Sequence, residues 1–294
     1  MMKLYAPKYI KDFKCIADKC EHSCCIGWEI DVDDTALNKY KSLKGGFADE
    51  ILKSISFKGT PHFKLCADDR CPHLDENGLC KIILTAGEDF LCDICREHPR
   101  FYNYTSVAEQ GIGASCIEAA RVILKSDCFD EFVEIGTTDG KVENTCFDGR
   151  FARKKAFEIL KNKSLSFEER LNAIMREYDV EPTPDEVYLE ILDSLEYLNP
   201  VHKALFGCYS SNLAFDCGEY PSRAMAYFIY RHCTEACDED DFKLRLAFCI
   251  FCTLLLCSLV ANEHAKTLDE VANLFSIISE EIEYSEDNTE KLIY

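Results

Sequence analysis

The sequence predicts a mainly α-helical protein in two parts: a cysteine-rich N-terminal region of short helices and one small hairpin (1–128), then a C-terminal helical bundle (129–294). Three observations carry this expectation. Ten of the 19 cysteines fall within the first 116 residues, among glycine-rich turns that interrupt any long helix. Beyond about residue 150 the apolar residues recur with a period near 3.6. A chain of 294 residues is also long enough for one large core or two modest ones, so it does not need disulfides to fold.

In chain order, Asp33, Asp34 and Thr35 supply N-cap candidates for a helix over 33–43, and further short helices are expected over 47–54 and 79–85. Gly45-Gly46, "GTP" at Gly59 and "DENG" at Asp75 are turn signals between them. "FYNYTSVAEQGIGAS", from Phe101, sets aromatic and β-branched residues ahead of Gly111 and Gly113, the pattern of a hairpin. "DEFVEIGTTDGKVENTCFDG", from Asp130, reads as a connector. Helices are then expected over 151–162, 166–178, 185–198, 222–237, 241–262 and 268–281, with a short one from Glu286. Ser166 with Glu169 and Thr267 with Glu270 have capping-box spacing, and Thr183-Pro184 marks a helix start. The apolar run 246–261 is 16 residues long, short of the roughly 20 that cross a bilayer. With acidic residues before it and "NEHAK" after it, a buried core helix is expected and no membrane partner.

The opening stretch "MMKLYAPKYIKDFKC" has no apolar core of a signal peptide, so the expectation is a cytoplasmic protein. There, clustered cysteines bind metal or do chemistry more often than they form bridges. A formal net charge of −20 argues against nucleic acid, whose binding needs clustered Lys and Arg. The acidity suits the approach of a lysine-bearing protein surface, and equally suits a plain soluble acidic protein.

Short-spaced cysteines let two thiolates converge on one ion while backbone N–H groups point at the sulfurs. This chain offers Cys15-x4-Cys20, Cys20-x3-Cys24-Cys25, Cys66-x4-Cys71, Cys71-x8-Cys80 and Cys92-x2-Cys95. Zinc and an iron-sulfur cluster both take four thiolates, so ligand type leaves the metal open. A radical S-adenosylmethionine motif would need Cys-x3-Cys-x2-Cys; Cys20 and Cys24 satisfy the first half, but Gly27 occupies the third position. No dinucleotide-binding, Walker, zinc-protease or nucleophile-elbow motif is present. His22, His62, His73 and His98 could ligate, although a surface or hydrogen-bonding role is commoner. "CREHPRFY" offers Arg96 and Arg100 to an anionic carboxylate such as the methionine end of a nucleoside cofactor, or else to the local fold. The nine cysteines from Cys128 to Cys257 are expected as core residues.

"CIADKCEHSCCIGWEIDVD", "CPHLDENGLCKI", "LCDICREHPR", "SCIEAAR" and the terminal "EYSEDNTEKL" together resemble the flagellin lysine-N-methylase (FliB) family. The Cys-Cys and Cys-Pro-x-Leu elements are also similar to those of small YkgJ-like zinc- or iron-chelating proteins. The resemblance implies methyl transfer from S-adenosylmethionine to lysines of flagellin, or of another lysine-bearing protein, and a cysteine-bound centre. An iron-sulfur cluster of the 4Fe-4S type is favoured, with zinc as the alternative. By position the family's cysteines fall on Cys15, Cys20, Cys24, Cys25, Cys71, Cys80, Cys95 and Cys116, leaving Cys66 and Cys92 as extras. His98 stands where the family has tyrosine. A lysine amine must lose its proton before it attacks, and Tyr102, Tyr104 and Glu97 are the candidates beside the motif. The rival readings are a non-enzymatic zinc- or iron-sulfur-binding or redox-sensing module, and a purely structural zinc site.

Overall fold

In the computed structural model Met2–Pro7 forms strand β1, with Leu4 and Ala6 turned into the core. The structure describes residues 1–21, 23–141, 147–212 and 218–294; His22, Cys146 and Cys217 lie outside the described residues. Two compact units result: Lys14–Pro99, and Met1–Phe13 together with Arg100–Tyr294.

In the Lys14–Pro99 unit, Asp33 caps α1 (Asp34–Ser42) by accepting from the Ala36 N–H at 2.9 Å. Gly45, at φ +103°, precedes α2 (Gly46–Ser54). A two-residue antiparallel ladder of β2 (Ile55–Ser56) and β3 (His62–Phe63) follows. Helix α3 (Lys81–Ala86) starts later than its apolar pattern suggests, because the Asp75 carboxylate holds the Leu79 N–H at 2.8 Å in the preceding loop. The five-residue α4 (Asp93–Glu97), too short for a periodic signal, was not expected. Ile30, Val32, Leu37, Tyr40, Ile51, Ile55, Phe63 and Ile82 form the core of this unit, and Cys71 and Cys92 are buried within it.

In the larger unit the expected hairpin is present: β4 (Arg100–Tyr104) pairs antiparallel with β5 (Ala108–Ile112). A Cβ at Gly111 would run into the Phe101 ring across the ladder, so only glycine permits that approach. After α5 (Ile117–Lys125) comes β6 (Phe132–Thr138), a strand inside the stretch expected as a connector. The sheet order is β4-β5-β1-β6, with β1 parallel to β5 and antiparallel to β6. The hairpin therefore belongs to this sheet and not to the cysteine-rich part, and the division expected at 128/129 falls inside this unit. Cysteine content suggested that division; the pairing of β5 with β1, which composition does not register, decides membership.

The remaining helices are α6 (Gly149–Leu160), α7 (Phe167–Tyr178), α8 (Asp185–Ser194), α9 (Pro200–Phe206), α10 (Tyr220–Phe228), α11 (Glu239–Asn262), α12 (Leu268–Ile278) and α13 (Glu286–Ile293). Both expected capping boxes form, on α7 and α12. Helix α9, not expected, has Asn199 as N-cap and Pro200 in its first turn. Helices α10 and α12 each run into a π-helical turn, Ile229–Cys233 and Ser279–Glu283. Helix α11 has 24 residues, more than its apolar run, and is long and apolar enough to cross a membrane; 78% of its most apolar window is buried inside the protein. It packs against α10 and α12, and α5 packs against α10 and α12. Cys233, Cys249, Cys252 and Cys257 are buried here as expected; Cys128 and Cys208 are half-buried and Cys237 is exposed.

Candidate functional site

The thiols converge in the Lys14–Pro99 unit because three loops are tied together by backbone bonds. Ser23 Oγ accepts from the Cys25 N–H at 3.3 Å, and Gly27, at φ +94°, turns the chain so that the Trp28 indole donates to the Cys24 carbonyl at 2.6 Å. The Cys25 carbonyl accepts from the Cys71 N–H at 2.8 Å, and Ile26 bridges Arg70, so the two cysteine segments run side by side. In "CPHLDENGLC" the Asp75 carboxylate accepts from the Asn77 and Leu79 N–H groups, Gly78 takes φ +76°, and Leu74 bridges Cys80. The loop thereby brings Cys80 back to Cys71. The third segment is fixed at the start of α4: the Asp33 carboxylate accepts from the Asp93 N–H at 2.7 Å, and Tyr40 Oη lies 3.3 Å from Cys92 Sγ.

Cys25, Cys71, Cys80, Cys92 and Cys95 pack against one core. Cys71 accepts a hydrogen bond from the His73 backbone, and Cys80 from those of Ile82 and Ile83, the N–H-to-sulfur pattern of metal-ligand loops. Burial pushes the Cys71 thiol up to about 12 and raises that of Cys80. Hydrogen bonds from Cys24 and Cys95 lower Cys25, to about 7, and Cys92. Cys95, the partner of Cys92, is raised in turn by that hydrogen bond and by burial. Burial thus favours the protonated thiol at Cys71, Cys80 and Cys95, while hydrogen bonding favours the thiolate at Cys25 and Cys92. Among the described residues no group of three or more His, Cys, Asp or Glu side chains is arranged, as it stands, to hold a metal ion. The donor set nevertheless fits one chemically: several thiols, backbone donors at the sulfurs, and a low-dielectric surround.

Of the eight cysteines implied by resemblance, Cys25, Cys71, Cys80 and Cys95 come together, with Cys24 hydrogen-bonded to Cys25. Cys15 and Cys24 are exposed and Cys20 is half-buried. Cys116 belongs to the other unit, at the N-cap position of α5. Cys92, set aside on the sequence, is the most deeply buried of the group, with only 1% exposed. Cys92-x2-Cys95 has, like Cys249-x2-Cys252, the shortest cysteine spacing in the chain apart from the adjacent Cys24-Cys25.

The histidines hold structural positions. His73 Nε2 lies 2.9 Å from Ser54 Oγ, with burial lowering its pKa to about 4, and its ring packs edge-on to Phe63. His62 Nδ1 meets the Thr60 carbonyl at 2.8 Å, and His98 packs edge-on to Trp28. The "CREHPRFY" cluster is divided between the units. Arg96 pairs with Asp93 and, at 3.5 Å, with Glu97, which favours the local-fold role for both. Arg100, Tyr102 and Tyr104 occupy alternate positions of β4, one face of the strand. Tyr102 stacks parallel to Tyr104 and its hydroxyl accepts from Gln110 Nε2 at 2.7 Å.

A second polar cluster, missed on the sequence, lies in the larger unit where the two π-turns meet. The buried Glu283 carboxylate accepts from Tyr227 Oη at 2.8 Å and Ser279 Oγ at 2.5 Å, meets His232 Nε2 at 2.6 Å and pairs with Arg231 Nε at 3.3 Å. Burial alone would raise its pKa; Arg231, His232 and Ser279 bring it down to about 2. Burial lowers His232 despite Glu283, so the ring is neutral at pH 7 and its Nε2–H donates. Tyr227 Oη also accepts from the Ala114 N–H at 3.0 Å, linking the cluster to the turn ahead of "SCIEAAR". Tyr227 thus joins Glu283, the first residue of "EYSEDNTEKL", to the residue just before "SCIEAAR". In the same unit a groove of about 760 Å³ at the end of α7, lined by Leu165, Met175, Arg176 and Pro182 among others, contains none of the expected site residues.

No protein-family model matches the chain, and no solved structure does. It is similar to the flagellar biosynthetic protein FliU of Salmonella muenchen, at 27% identity over 52% of this chain and 94% of that protein. It is also similar to proteins named lysine-N-methylase from Salmonella choleraesuis and Salmonella typhimurium, each at 30% identity over 40% of this chain. The chain covers 31% of the length of each of these two. By its motifs and by these relatives, the chain resembles the FliB-like lysine-N-methylases.

Proposed function

We propose that the protein is a protein-lysine methyltransferase that uses S-adenosylmethionine, acts on flagellin or another lysine-bearing protein, and carries a cysteine-bound metal centre. The observation that carries the reading is the similarity to relatives named lysine-N-methylase, together with the ordered motifs. Of the implied thiols, Cys25, Cys71, Cys80 and Cys95 would hold the metal, with a 4Fe-4S cluster favoured over zinc. Bound there, such a centre would supply an anchor for the fold, a cofactor ligand or a redox group. Methyl transfer needs an uncharged lysine amine aligned with the departing sulfur. On β4, Tyr102 and Tyr104 present phenolic oxygens that can orient the amine, and Arg100 on the same face can pair with a carboxylate. The acidic chain favours the encounter with a lysine-rich surface.

The test is a methylation assay with labelled S-adenosylmethionine, flagellin and metal-replete protein. Incorporation into lysine is expected, and its absence with metal-replete protein would sink the reading. The alternative, a structural zinc or redox module, is favoured by the local pairing of Arg96, which leaves that guanidinium engaged by Asp93 and Glu97. Elemental analysis returning zinc without iron or sulfide, in protein that does not bind S-adenosylmethionine, would select it.

A further inference from the structure

We propose that Ser115, Arg231 and the start of α5 form a carboxylate-binding subsite, which takes the carboxylate at the methionine end of S-adenosylmethionine. The inference rests on the methyltransferase reading and gives Arg231 the role that the sequence offered to Arg96 and Arg100.

Three observations lead there. The first is an orphaned hydroxyl: Ser115 is 6% exposed and its Oγ has no hydrogen-bond partner, although the Tyr284 phenol interacts with it outside hydrogen-bond geometry. A buried hydroxyl in that state costs stability, and a ligand atom that accepts from it removes the cost. Second, Ser115 stands immediately before Cys116, the N-cap of α5, and no side chain caps that nine-residue helix. Glu118, the acidic residue of its first turn, is held by Arg121 Nη1 at 3.3 Å. The first turn of α5 therefore offers an anion its N–H groups and the positive end of the helix dipole. Third, Arg231 reaches this place with one edge open. Its Nε pairs with Glu283 at 3.3 Å and its Nη1 donates to Tyr227 Oη at 3.0 Å, whereas Nη2 has no acceptor among the described residues. The same Tyr227 oxygen accepts from the Ala114 N–H at 3.0 Å, so one phenol holds the guanidinium beside the residue that precedes Ser115. The guanidinium lies over the rings of Phe101, at 4.9 Å, and Tyr284, at 5.7 Å, which fix its plane. Its side chain is 16% exposed, enough for a ligand to meet the open edge. Arg96, by contrast, has Asp93 and Glu97 on it. Because Glu283 already offsets much of the Arg231 charge, the donors suit the single negative charge of a carboxylate better than a doubly charged phosphate.

The experiment measures, by calorimetry on the full chain, binding of S-adenosylmethionine and of decarboxylated S-adenosylmethionine, which differ only in the carboxylate. The parent is expected to bind the first about 10-fold or more tightly than the second, as hydrogen bonds to a charged group do. Ser115→Ala should bind S-adenosylmethionine about 10-fold more weakly than the parent and the decarboxylated compound equally well. It should also melt no lower than the parent, because it deletes a hydroxyl that nothing in the fold satisfies, and a purely structural serine would not give this pair of results. Arg231→Lys keeps a cation for Glu283 but lacks the planar fork, and should lose the preference for the carboxylate. Should Arg231→Lys fold poorly, Ser115→Ala decides. Equal binding of the two compounds by the parent, parental affinity for S-adenosylmethionine in Ser115→Ala, or equal weakening of both compounds in that variant overturns the inference and leaves the methyltransferase reading standing. A metal-replete parent that binds neither compound overturns that reading, and the inference with it.

Discussion

The two units place their polar atoms in opposite ways. In the larger one, buried charges are neutralised by other side chains: Glu109 accepts from Arg153 at 2.8 and 3.0 Å, Arg153 also reaches Thr234, and Glu283 gathers Arg231, His232, Tyr227 and Ser279. Around these pairs lie long helices and many fully buried aromatic rings, among them Phe228, Phe248, Phe251 and Phe275. In Lys14–Pro99 the interior is smaller, its helices have nine residues or fewer, and Cys25, Cys71, Cys80, Cys92 and Cys95 pack against its core. One unit balances its buried charges with other side chains; the other gathers thiols, for which a metal ion is the counterpart proposed above.

The proposed metal centre offers the sharpest way to break that contrast. Chelation should strip hydrogen-exchange protection from Lys14–Pro99 and leave β5, α10 and α11 protected, because structural thiolate sites contribute on the order of 10 kcal/mol to folding. Equal loss in both units, or in neither, would contradict it. Next in size, Glu109→Gln leaves Arg153 buried with a neutral partner and should lower the stability of the larger unit by about 3 kcal/mol in chemical denaturation, with the metal content unchanged. Smallest is acid. The Glu283 pKa is depressed from 4.5 to about 2, so its stabilisation is complete above about 4.5 and is lost as pH falls toward 2. His232, lowered from 6.5, acts in the same direction, since the unfolded state takes up its proton first as pH falls below about 6.5. Stability of the larger unit should therefore decline from pH 7 downward, by up to roughly 3 kcal/mol from Glu283, and Glu283→Gln should flatten the lower part of that decline. An unchanged acid limb in the variant would remove Glu283 as its cause.

Local signals were legible in proportion to how local their causes are. The capping boxes at Ser166 and Thr267 and the hairpin at Phe101 were readable because spacing alone specifies them. Which cysteines share a unit was not readable from spacing: Cys116 lies in the larger unit, and Cys92 meets Tyr40, 52 residues away. The Glu283 cluster was hidden for the same reason: its partners come from two π-turns, and an apolar period near 3.6 reads straight through them as α-helix. Strand β6 went unseen inside a polar, glycine-containing stretch because its burial is intermittent and its edge is supplied by β1.

The pairing of Leu4 with Ala108 has a consequence for biosynthesis. At roughly 5–20 residues per second, β1 leaves the ribosome about 5–20 s before its parallel partner exists, and all of Lys14–Pro99 emerges in the interval. The cysteine unit can therefore collapse while the sheet is still open. Once collapsed, it acts as a short spacer in place of a long floppy loop, reducing the entropy that closing β1 onto β5 must overcome.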